Sequence, residues 1–232
     1  MILKERFFLF DKIEQVLIKT KEERIKGNEC LFENLFSFNN IENNLVYLKI
    51  DFYHNFIINP NLFEKINKFK ALKYLYIENL EFEKNFEIKL NNLIILSCTR
   101  YENISLSGNS RTKIEKLCFV EINFLNIDFL ENVNLNVLKE LNLDCNNISN
   151  IKVLEKVKLG KLEKLNLGYN KISNIDILEK VNFKELIELD LHHLSDIKGL
   201  EKVKFEKLQK LNLGRNEINI DILENVNLKE LK

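Results

Sequence analysis

The sequence predicts an α/β solenoid: short units of strand, turn and apolar return, stacked so that their strands make one parallel sheet. Two observations predict it. A pattern LxxLxL recurs down the second half, opening at Leu138, Leu162, Leu186 and Leu208, with a fresh start at Leu231. The spacings are 24, 24, 22 and 23 residues. Between the openings sits a second recurring signature: FLENVNLNV from Phe129, VLEKVKLGK from Val153, ILEKVNFKE from Ile177, GLEKVKFEK from Gly199 and ILENVNLKE from Ile222.

Each part of the unit has a physical reading. In LKELNLDCNNISNI from Leu138 and LEKLNLGYNKISNI from Leu162, the core leucines alternate with polar residues. That is the period-2 mark of a strand with one buried face. An Asn follows in the turn, then an Ile two residues on, then the apolar LEKV segment, whose spacing is compatible with a helix. One unit cannot bury its own apolar side, but stacked units share a continuous core. Parallel neighbours need a crossover of about a dozen residues or more, and the repeat length supplies it.

The pattern weakens upstream without vanishing. Ile114 opens IEKLCFVEINFLNI, Leu93 opens LIILSCTRY, Leu72 opens LKYLYIENL and Leu45 opens LVYLKIDFY. Eight full units and a stub therefore cover about residues 41–232. In the Leu93 unit the apolar return is replaced by SLSGNSRTK, from Ser105 to Lys113, which reads as a loop. Residues 1–30 fall outside the repeat. Leu3, Phe7, Phe10, Ile13 and Leu17 lie three or four apart on one helical face, the pattern of a cap over an otherwise bare solenoid end, or of a separate docking helix. The expected division is a helical cap over 1–30 and a repeat domain over 31–232. At the other end the chain stops at Lys232 in the opening of a strand. Such an exposed parallel edge invites self-association; either the chain is a truncated member of its family, or the last return, Ile222–Leu228, covers that end imperfectly.

LxxLxLxxN-x-I at this repeat length resembles the leucine-rich-repeat family, over about 80% of the chain. The subclass it looks most like is that of the repeat subunit regulating protein phosphatase 1. The resemblance implies a horseshoe or arc, with a parallel sheet on the concave side and short helical or irregular convex segments. It also implies that the turn residues Asn146, Asn170 and Asn216 form a ladder of bonds to backbone groups of adjacent coils. The Leu186 unit lacks this Asn and has Leu194 nearby; the Ile114 unit has Ile122 there. Since an unpaired buried backbone group costs roughly 1–3 kcal/mol, each gap predicts a softer coil. A bend that tilts His192 and His193 outward is the functional alternative.

Composition narrows the function. Lys plus Arg is 35 and Asp plus Glu is 35, so the net charge is zero. No basic excess or stripe suggests nucleic acid as a partner. No apolar run approaches the ~20 residues of a membrane span, and Phe7–Phe10 is too short for a signal peptide. Cys30, Cys98, Cys118 and Cys145 form no CxxC pair, as expected of reduced thiols in a cytoplasmic protein. No phosphate-binding, dinucleotide or nucleophile-elbow motif occurs. His54 stands alone, and the adjacent pair His192 and His193 lacks helical zinc spacing. The expectation is no enzyme, no cofactor and no metal. Asn, Lys and Ile are abundant, as in A/T-rich genomes, so composition is discounted as a functional signal.

The polar strand positions should share one open face. One column runs Lys116, Glu140, Lys164, Glu188, Lys210, and its alternating signs predict a self-complementary ladder. Two clusters stand out as partner-binding candidates. Tyr47, Phe52, Tyr74 and Tyr76 would gather toward the N-terminal side with Ile95, or else be misregistered core. Tyr169, His192, His193 and Arg215 would lie on successive coils, with Arg100 in the same row. Interface hot spots favour aromatics and Arg. The expected function is a protein-binding module, an adaptor, decoy or host-interaction protein of a viral or protist gene family. The alternatives are a phosphatase regulatory subunit, implied by the subclass alone, and a fragment with no specific partner.

Overall fold

The computed structural model describes residues 47–51, 66–78, 86–89, 92–100, 104–108, 112–194, 196–216 and 226. The chain divides into Met1–Leu45 and Val46–Lys232. The expected cap over 1–30 and the C-terminal end after Asn216 lie outside the described residues, Val226 apart.

Eight strands form one parallel sheet: β1 (Tyr47–Asp51), β2 (Tyr74–Glu78), β4 (Ile95–Thr99), β6 (Lys116–Val120), β7 (Glu140–Asn142), β8 (Lys164–Asn166), β9 (Glu188–Asp190) and β10 (Lys210–Asn212). Each begins two residues after a unit's opening residue. The register is unbroken: Tyr47, Tyr74, Ile95, Lys116, Glu140, Lys164, Glu188 and Lys210 follow one another across the sheet. The aromatics of β2 are therefore in register and not core. The core leucines lie on the other face; Leu117, Leu141, Leu165 and Leu189 are all buried.

The strands shorten from five residues to three as the repeat becomes regular. Asx turns end the short ones. The backbone N–H of Asp144 donates to Asn142 Oδ1, Gly168 to Asn166, His192 to Asp190 and Gly214 to Asn212, at 2.8–3.1 Å. Such a side chain bends its own backbone two residues on. A second set opens the return segments, where Asn126, Asn150, Asn174 and Asp196 each accept from the N–H two residues later. In a chain with six Gly and one Pro, Asx turns make these bends. The Asn content thus has a structural use that composition alone hides.

The returns are 3₁₀ turns: Asp128–Asn132, Lys152–Glu155, Asp176–Lys180 and Lys198–Lys202. Four or five residues are too few to nucleate an α-helix, and 3₁₀ geometry suits short pieces. Their Leu130, Leu154, Leu178 and Leu200 are buried. The Leu93 unit differs from its sequence reading. Ile104–Ser107, expected to begin a loop at Ser105, is strand β5, paired in parallel with β3 (Phe86–Lys89). Ile104 and Leu106 are buried while Ser105 is exposed. Alternation over four residues outweighs the serines' turn preference.

Asn146 and Asn170 are buried and bond to two coils at once. Asn146 Oδ1 accepts from the N–H groups of Ile122 and Phe124 on the preceding coil. Its Nδ2 donates to the carbonyls of Phe119, Leu143 and Asp144. Asn170 accepts from Ile148 and donates to Leu143, Leu167 and Gly168. Asn216 accepts from Leu194 and donates to Leu191. The bonds run backward, so Ile122 and Leu194, which stand where Asn is absent, are each served by the next coil. A missing Asn therefore takes bonds from the coil before it as well as from its own.

Candidate functional site

The open face of the main sheet carries the residues between the core positions, and the row just past the strands has an unusual backbone. Arg100, Glu121, Cys145, Tyr169, His193 and Arg215 all adopt positive φ, between 44° and 60°. They occupy equivalent positions on six successive coils. Left-handed geometry is favoured by Gly and costs other residues roughly 1–2 kcal/mol, yet none of the six is Gly. Their backbones gain a bond in return: the N–H of Tyr169 donates to the carbonyl of His192 on the next coil, and that of His193 to Gly214.

Three side chains of this row converge. The Tyr169 ring lies 4.7 Å from that of His193 and 4.4 Å, edge-on, from that of His192. It reaches across that coil to Arg215, whose Nη1 donates to the Tyr169 hydroxyl and whose guanidinium carbon is 5.7 Å from the ring centroid. Sequence spacing placed these residues on successive coils; the geometry brings them into one cluster spanning about two strand spacings, roughly 10 Å. His193 and Arg215 are exposed, and Tyr169 is half-buried.

His192 belongs to the cluster's floor. Its Nδ1 lies 2.5 Å from Asp190 Oδ1 and its Nε2 3.8 Å from Asp144 Oδ1. The short contact fixes the ring against the Asp190 carboxyl. Gly168, on the intervening coil, makes room for the ring. Asp144 Oδ1 is buried and has no hydrogen-bond partner among the described residues. The signal that would have found this floor was Gly168 opposite His192, a small residue facing a large one across a strand.

The remaining candidates sit apart. Tyr74 and Tyr76 are half-buried on the open face of β2, four strands from β8. Tyr47 is in register with Tyr74, and Phe52 lies outside the described residues. Arg100 donates through Nε to Glu121 at 2.8 Å. The charged column forms ion pairs, Lys116–Glu140 at 2.7 Å, Lys164–Glu188 at 3.1 Å and Lys210–Glu188 at 2.8 Å. The bonds from Lys210 and Lys164 hold the Glu188 carboxyl below its ordinary value.

The three described thiols, Cys98, Cys118 and Cys145, are poorly set up as nucleophiles. Burial pushes Cys98 well up. Burial also raises Cys118, against a bond to Ser97 and the charge of Lys116. Burial and the adjacent Asp144, to which Sγ donates at 3.3 Å, lift Cys145 to about 11. Cys98 points into the core and Cys118 to the open face, with Cys98 opposite Phe119 in the register, so alternation keeps these neighbours from pairing. Among the described residues, no cluster of three or more His, Cys, Asp or Glu could hold a metal ion, and no helix is long and apolar enough to cross a membrane.

No protein-family model and no curated protein matches the chain. Solved structures do. The fold is similar to that of an internalin from Listeria monocytogenes, with a TM-score of 0.50 and 20% identity over 81% of this chain and 59% of that one. It is similar also to internalin C2 of the same organism, with a TM-score of 0.56 and 22% identity over 80% of this chain and 78% of that one. The chain thus spans less than two thirds of the first of these. At such identities the likeness shows the fold, that of a leucine-rich repeat.

Proposed function

We propose that the chain is a non-enzymatic protein-binding module, an adaptor or decoy acting in the cytoplasm, which takes a protein partner on the open face of its sheet. One observation carries this reading: at a backbone position that favours Gly, the chain holds Tyr169 in contact with both His193 and Arg215. Bonds from Tyr169 and His193 to the next coil fix the backbone that carries these side chains. An aromatic, an imidazole and a guanidinium on a rigid scaffold match the composition of interface hot spots. Tyr74 and Tyr76 offer a second contact area on the same face.

The test is affinity capture from the cell of origin with three baits: wild type, Tyr169→Ala/Arg215→Ala and Tyr74→Ala/Tyr76→Ala. Loss of the same protein from either variant, with both still folded, supports binding on the open face. Equal recovery by all three rejects it.

A further inference from the structure

Among the described residues, the cations of the open face are mostly paired with carboxylates. Lys116 is matched by Glu140, Lys164 and Lys210 by Glu188, and Arg100 by Glu121. Arg215 breaks this rule. It is exposed and meets no carboxylate among the described residues; its hydrogen bond goes to the Tyr169 hydroxyl. His193 is exposed as well, and its contact is with the Tyr169 ring. Asp190, three residues before His193, is already engaged. One oxygen receives the His192 backbone and ring, and the other receives Asn212 Nδ2 at 2.9 Å.

A guanidinium presents five donors in a planar fork that fits a carboxylate through two parallel bonds. Only part of Arg215's fork is used by Tyr169. That bond and the ring beneath it hold the side chain in one orientation, which lowers the ordering cost of binding. His193 adds an imidazole on the same Tyr169 ring, and Tyr169 an apolar surface. Charge complementarity therefore selects the partner.

We propose that the Tyr169–His193–Arg215 cluster receives an acidic segment of a partner protein, with an Asp or Glu carboxylate of that segment on the Arg215 fork. This rests on the open-face reading above and names the chemistry of what binds there.

The probe is a phage-displayed library of random dodecapeptides, panned on the wild-type chain. Enriched peptides are synthesised and titrated calorimetrically against wild type, Arg215→Gln, Arg215→Lys and Tyr74→Ala/Tyr76→Ala. Arg215 is exposed, so these variants should fold; matched thermal melts check it. The expected result is enrichment of Asp and Glu. Affinity should drop about tenfold or more in Arg215→Gln, the scale of a hydrogen bond to a charged group, and by less in Arg215→Lys. Replacing the critical peptide Glu by Gln should cause a similar loss on wild type and little further loss on Arg215→Gln. Peptides without acids, or none sensitive to Arg215→Gln, overturn the proposal. So does a phosphoserine peptide that alone binds through Arg215. Peptides indifferent to Arg215→Gln but lost with Tyr74→Ala/Tyr76→Ala overturn the acidic anchor and leave open-face binding standing. Peptides indifferent to every variant overturn both.

Discussion

The imidazole of His192 lies across the α-carbon of Gly168. A β-carbon at Gly168 would meet the ring atoms Cε1 and Nδ1 at 2.2 Å, and Asp144 Oδ1 at 2.9 Å. The ring is held by Asp190 and by the Tyr169 edge, so it cannot move without losing both. Gly168→Ala should therefore destabilise by about 1–3 kcal/mol, the scale of an overpacked site. Urea unfolding measures it. In the His192→Ala background the same change should cost little, because the clash has gone.

The backward bonds of the turn Asn residues predict a graded series. Asn146 bonds to groups of both its own coil and the preceding one, and Asn170 does likewise with one fewer N–H donor facing it. Asn146→Ala and Asn170→Ala should each cost about 2–4 kcal/mol, since several buried backbone groups lose partners together. Asn216→Ala, half-buried with two bonds, should cost less. In hydrogen exchange of the Asn170 variant, the amide of Ile148 on the preceding coil should lose protection.

Positive φ at Glu121, 57°, predicts that Glu121→Gly stabilises by about 1 kcal/mol, despite loss of the exposed pair with Arg100, which is worth little. Glu121→Val should destabilise, as β-branched residues tolerate this region worst. Chemical denaturation of the pair decides it.

Much of this array is legible in the sequence, for a reason those residues share. Leu141, Leu165 and Leu189 recur with polar neighbours, and inward leucines in register are the one arrangement that buries them all. The face columns follow by counting. What counting misses depends on side chain meeting backbone. Asn142 and Asn150 look like genomic bias until their oxygens are seen turning the chain. Tyr169 and His193 are poor left-handed residues by propensity, and the next coil's carbonyls override that. Ile104–Ser107 looks like a loop because its serines outweigh two apolar residues in a short window. The His192–Gly168 contact is a relation between coils, invisible within either repeat.

Cys145, lifted to about 11 by burial and Asp144, should react slowly with iodoacetamide at neutral pH. Relative to the ordinary value of 9.0, the difference of 11 − 9.0 = 2 pH units leaves about a hundredfold less thiolate. Peptide-resolved mass spectrometry should show its alkylation rate still rising above pH 10. Asp144→Asn should shift that profile to lower pH; an unchanged profile would remove Asp144 as a cause.

Glu188 gives a pH prediction with a definite sign. Its folded carboxyl is held below the ordinary 4.5 by Lys210 and Lys164. The stabilisation is present above the unfolded value and is lost as pH falls through the folded one. Glu188→Gln should be less stable than wild type at pH 7 by no more than about 1 kcal/mol, given its exposure. The gap should close under acid and shrink in high salt.

A shared core behind an open face requires Leu165, and not its neighbour Lys164, to face inward in β8. Equilibrium urea unfolding of Leu165→Ala and Lys164→Ala tests it most directly. Leu165 is 1% exposed, so its truncation should cost about 2–5 kcal/mol, whereas Lys164→Ala should stay within about 1 kcal/mol. Equal small costs, or a larger cost for Lys164, would contradict a shared core behind an open face.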